Sequence, residues 1–215
     1  MAGGMRLSEM TRRDVLMMSL AAGVPLLGQA PEVHGLPPRA GAGEYTAQAK
    51  VGKYMIGADF TGHAVPTMEG PLMSEEYVVV ELAFFGDEKL VLSFEEFSLK
   101  IDKKKMPIQS RQFGMMMKSL SDPEWIPPSV EKESKGSIGA GAQAGAPKPE
   151  PPKMPFPLRR AMEQRALKSV LPEGERVLPV AGLVFFPYRG KDQNIETVEL
   201  LYEGAAGKAT LKLRG

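Results

Sequence analysis

The sequence predicts a mostly β chain folded as a two-sheet antiparallel sandwich of about seven strands. Three observations lead there. From Tyr77 to Phe85 and again from Leu90 to Ile101, with one shift between Phe94 and Phe97, apolar residues recur at every second position, the period at which a strand presents one face to a core. Gly86-Asp87-Glu88-Lys89 supplies the turn between the two runs. The same alternation returns near the C-terminus, where Ala209, Leu211 and Leu213 oppose Lys208, Thr210, Lys212 and Arg214.

The chain opens with residues 1–30, whose order is that of an export signal: Arg12-Arg13, then the mild apolar run Val15 to Gly28. Thr11-Arg12-Arg13-Asp14-Val15-Leu16 resembles a twin-arginine signal. The run is short and broken by Pro25, which fits a cleaved signal better than a bilayer span. Small residues place cleavage after Gly28-Gln29-Ala30 or near Ala40-Gly41-Ala42. Residues 31–44, rich in Gly, Pro and Ala, form a linker, and residues 45–215 a single sandwich domain.

Within that domain Lys53 to Phe60 is the first well-marked strand, with Gly57 marking a bulge or a close approach. Thr61 to Ser74 is a loop punctuated by Pro66, Gly70 and Pro71. Val78, Val80, Leu82 and Phe84 form the inward row of the central strand, and the shift between Phe94 and Phe97 marks a bend. Lys103-Lys104-Lys105 reads as a solvated strand end. Residues 112–157 form a variable insertion. It contains a flexible low-complexity loop from Glu133 to Pro155, where Gly-Ala alternation and a proline run leave too little apolar surface to offset ordering entropy. Residues 158–171 are expected as a helix, with Leu158, Met162, Ala166 and Val170 as its apolar stripe and Pro172 and Gly174 as its stop. Strands follow over Arg176 to Tyr188, Ile195 to Glu203 and Lys208 to Arg214.

Composition narrows the function. The formal net charge is +1 over 215 residues, so no global field draws the chain to nucleic acid, and no aromatic residues interleave the lysine run. The sequence has no cysteine, which removes disulfides, thiolate metal sites and cysteine chemistry. With two histidines, and no serine in a nucleophile-elbow context, a hydrolytic triad is not expected. No catalytic residue and no cofactor is assigned.

The candidate metal ligands are His63, Asp59, Met68 and Met73. Imidazole and thioether donors suit copper, and loop carboxylates suit calcium. The candidate binding residues are Trp125, set among prolines, and Arg159 and Arg160 on the helix.

Ile56 to Asp59, Tyr77 to Gly86, Leu92 to Ile101 and Leu201 to Leu213 together resemble uncharacterised exported proteins of Acidobacteria-type bacteria. That resemblance implies an immunoglobulin-like sandwich with a variable middle, and brings no catalytic residue. The expected function is a non-catalytic exported protein of the periplasm or outer envelope. It would contact an envelope protein or itself, or build an envelope structure, through a loop or by strand addition at an exposed edge. The alternatives are a small-ligand or metal-binding module, and an accessory subunit of a membrane-associated complex.

Overall fold

The period-two alternation is realised as antiparallel strand pairing among the described residues. The computed structural model describes residues 35–102, 106–127 and 153–215. The export-signal residues, the lysine run and most of the low-complexity loop lie outside them.

Among the described residues there are 13 strands, not about seven, because short pairings fill the loops between the long ones. The first six are β1 (Ala47–Val51), β2 (Tyr54–Gly62), β3 (Ala64–Val65), β4 (Leu72–Ser74), β5 (Tyr77–Phe85) and β6 (Leu90–Leu92). Next come β7 (Phe97–Ile101), β8 (Ile108–Gln109) and β9 (Leu120–Ser121). The last are β10 (Gly174–Arg176), β11 (Val180–Pro187), β12 (Val198–Gly204) and β13 (Gly207–Arg214). Two α-helices accompany them, α1 (Phe113–Met116) and α2 (Phe156–Leu167).

Every pairing between these strands is antiparallel. Sheet I has the order β1-β2-β5-β11, and sheet II the order β13-β12-β7-β8. The pair β10-β6 and the three strands β3-β4-β9 form two smaller sheets. The inward row expected on β5 is correct: Val78, Val80, Leu82 and Phe84 are fully buried. Phe84 reaches across to sheet II, with its ring centroid 6.1 Å from Phe97 and 5.5 Å from Tyr202. Edge-on aromatic contacts of this kind add to the burial of the rings themselves.

Along β5 and β11 much of the opposite face of sheet I is also dry. Val79, Ala83, Leu183 and Phe185 point away from sheet II, yet none is exposed. The covering layer comes from three segments. Phe113 of α1 sets its ring 5.9 Å from Phe185. Met116, Met162 and Ala166, from the two helices, are buried in the same apolar cluster. Tyr45 packs with Ala83, Ala181 and Phe85. Gly57 is a close-approach glycine, as expected, but the visitor is a ring: a Cβ there would stand 2.5 Å from Tyr45 Cδ2.

The stretch expected as a helix over 158–171 is shorter at its end and begins earlier. α2 stops at Leu167, before Pro172, because Ser169 to Leu171 leave the helix to pair with β11. Leu183 donates to Ser169 O (2.9 Å), and Leu171 donates to Leu183 O (3.1 Å). Further along the same edge Leu36 donates to Ala181 O (2.9 Å), and Arg111 donates to Phe185 O (2.8 Å). The outer edge of sheet I is thus covered by three separate pieces of chain, a common protection against unwanted strand addition. Among the described residues no helix is long and apolar enough to cross a membrane.

Candidate functional site

Large apolar side chains in water mark the first candidate. Asp122 and Pro123 open a tight turn in which Trp125 donates its backbone N–H to Asp122 O (3.1 Å). Asp122 Oδ1 accepts from Glu124 N (2.9 Å), the short-range bond by which aspartate starts turns. The other carboxylate oxygen accepts from the Arg165 guanidinium (3.0 Å) on α2, docking the turn against the helix. Between them lies a groove of about 250 Å³, lined by Trp125, Met154, Leu158, Ala161, Met162 and the Asp122–Arg165 pair. Trp125 is half-buried at its wall. Ile126, next in the chain, is 83% exposed, and on α2 Phe156 is 74% and Leu158 52% exposed.

Of the residues expected to bind, Trp125 is in this groove. Arg159 and Arg160 are not among its lining residues: Arg159 Nε pairs with Glu163 (3.0 Å) one turn along α2, and Arg160 is exposed. The sequence reading missed Met154, Met162, Asp122 and Arg165. The signal for Arg165 was its place one position off the apolar stripe of α2, where a long side chain can reach a neighbouring turn.

The four residues grouped as metal ligands separate. Asp59 lies on the outer face of sheet I, directly across from Glu81. Arg39 bridges both, at 2.5 Å from Asp59 and 3.2 Å from Glu81, and its guanidinium stacks 4.2 Å above the Tyr45 ring. Asp59 Oδ1 also accepts from Thr46 N (2.5 Å). Burial alone would raise the Asp59 pKa, but the Thr46 amide and Arg39 outweigh it and hold the carboxyl below its ordinary value. Glu81 is shifted the other way: burial raises it, Asp59 adds to the rise, and Arg39 offsets only part. This network fastens residues 39–46 to the sheet.

His63 belongs to a different network. The β2–β5 register slips between Phe60 and Gly62, and Gly62 takes φ 62°. A Cβ there would meet Asp192 Oδ2 at 2.3 Å, so only glycine lets the chain turn so close to that carboxylate. The turn swings the His63 ring inward, where Nδ1 stands 2.7 Å from Ser74 O and 2.9 Å from Tyr77 O. Nε2 stands 2.7 Å from Gly190 O, so both ring nitrogens are engaged. Met73 is on β4, 37% exposed, and Met68 sits on a turn, 71% exposed. Among the described residues no three His, Asp or Glu side chains converge as a metal group would require.

No family model, no curated protein and no solved structure matches this chain. The reading of function therefore rests on the chain's own chemistry.

Proposed function

We propose that this chain is a non-catalytic exported protein that makes protein contacts in the cell envelope through the groove between the Trp125 turn and α2. The observation that carries the reading is the half-buried Trp125 sharing that groove with the exposed Leu158 and with Met154, while Ile126, next to it in the chain, and Phe156, at the start of α2, also stand in water. Protein interfaces draw their affinity from such aromatic and aliphatic anchors, seated in a groove with a polar rim. Glu69 and Glu124 supply that rim. The non-catalytic part is supported by the use made of the charged and titratable groups. Arg39, Asp59 and Glu81 hold residues 39–46 to the sheet, and His63 grips three backbone carbonyls.

Export by the twin-arginine route and kinship with immunoglobulin-like exported proteins of Acidobacteria-type bacteria belong to this proposal. They rest on Arg12-Arg13 and on the strand phrases of the sequence. Two four-stranded antiparallel sheets sharing one core support the sandwich part of that kinship.

The test compares the intact chain with Trp125→Ala and Leu158→Glu as bait in native envelope extract, alongside light scattering for self-association. Either variant should cut recovery of the specific partner, or the dimer fraction, about tenfold or more, the loss typical of an interface anchor. Unchanged capture and unchanged mass with both variants would sink the reading.

A further inference from the structure

Three separated segments close on His63. Its own backbone N–H donates to Asp192 Oδ2 (3.1 Å), and its carbonyl accepts from Ser74 N (2.9 Å). Its ring lies between the β4–β5 corner, which offers the Ser74 and Tyr77 carbonyls, and the loop after β11, which offers Gly190 O. A carbonyl oxygen can only accept. Neutral imidazole carries one N–H and one lone pair, so one of its nitrogens would face carbonyl oxygen with nothing to donate. Imidazolium has a donor on each side. Asp192 Oδ1 strengthens the case, since it is buried, has no hydrogen-bond partner, and lies 3.5 Å from Nε2.

We propose that His63 is a proton-operated clamp. Doubly protonated, it ties the β4–β5 corner to the loop after β11, and on losing a proton it releases one of those two ties. The stabilisation is full at acidic pH and is lost as the pH rises.

The surrounding charges leave His63 as the group that changes. On the corner Glu76 is paired with Arg189 of the opposite loop (2.8 Å). In that loop Lys191 precedes Asp192, and from β13 Arg214 donates to Asp192 O (3.1 Å). On the strand that leads into His63, Asp59 is taken by Arg39. Tyr188, whose ring is 6.2 Å from the imidazole, is held above its ordinary pKa by burial and by Asp102 and Asp192, and stays neutral where histidine titrates.

The clamp has a visible consequence. A cleft of about 580 Å³ lies between the two tied segments, with Glu76 and Tyr77 on one wall and Pro187 to Gly190 on the other. The proton on His63 sets how firmly those walls are held together.

Imidazole ¹⁵N–¹H correlation spectra of the full chain from pH 5.5 to 8 test this directly. Both His63 nitrogens should carry a proton at the acidic end, and one should lose it as the pH rises. Over the same range, amide exchange corrected for its intrinsic pH dependence should report the loosening. Protection at Tyr188, which donates to Glu76 O, and at Ser74 should fall about tenfold, the worth of one charge-assisted hydrogen bond. His63→Gln should remove that pH dependence. A single neutral tautomer throughout the range would overturn the proposal even if the variant failed to fold. So would protection that follows pH equally in His63→Gln.

Discussion

Sheets I and II have four strands each and the same antiparallel pairing, but they meet water differently. In sheet II burial alternates along every long strand: on β12 Val198, Leu200 and Tyr202 are buried, while the residues between them are partly open. In sheet I the run Ala181 to Phe186 is buried without a break, and β5 is open within its length only at Glu81. Sheet II closes a core on one side, whereas the β5–β11 half of sheet I is an inner layer with apolar partners on both. The sequence carries this difference openly. Val78-Val79-Val80 and Leu183-Val184-Phe185-Phe186 are continuous apolar runs, the mark of a strand covered twice.

The comparison is broken most sharply by two matched deletions. Phe84→Ala empties the contact between the sheets, and Phe185→Ala empties the contact between sheet I and α1. Both should cost about 3–5 kcal/mol in chemical denaturation, because both rings are fully enclosed. If Phe185→Ala cost under about 1 kcal/mol, well short of that range, the outer layer would be a loose cover rather than part of the core.

A smaller loss tests the strap that ends at Tyr45. Gly57→Ala forces a methyl group into the Tyr45 ring and should destabilise by about 1–3 kcal/mol, with faster proteolysis within residues 35–46. Wild-type proteolysis of that stretch would show that the ring moves aside without consequence.

The smallest effect concerns pH. Asp59 has its pKa lowered in the folded state, so its contribution is present above about 3.9, the ordinary aspartate value, and is lost as the pH falls further, through the folded value. Acidification from pH 6 to 3 should weaken exchange protection at Thr46 by an amount worth about 1 kcal/mol or less, the scale of a partly exposed ion pair. Asp59→Asn should flatten that response. Because the Glu81 pKa is raised, its protonation works in the opposite direction and limits the net change.

Much of the fold was legible, and the reasons are local. Alternation marked β5, β12 and β13, and Gly57 announced a close approach. The strand count was not legible, since β3, β4, β8 and β9 are two or three residues long and exist only because partners lie beside them. The end of α2 was misplaced for a related reason: the stripe continues to Leu171, but the backbone of Ser169 to Leu171 is taken by β11. At the candidate site Trp125 could be read from its setting among prolines. Asp122 and Arg165, 43 positions apart, could not be joined before the chain was folded. His63 and Asp59 were grouped by their closeness in sequence, yet a register slip at Thr61 sends one into the loop network and leaves the other on the sheet.

The sequence by itself determined that this protein is β-rich, which face of its central strand turns inward, and that it has no thiol chemistry. Period-two patterning and residue type act over a few neighbouring positions, and need no knowledge of what lies across the core. Tertiary structure decided what covers the second face of sheet I, where α2 ends, and which groups surround His63. Each of these depends on carbonyls, carboxylates and rings brought from more than ten to more than a hundred residues away. No local pattern of apolar and polar residues encodes such a meeting.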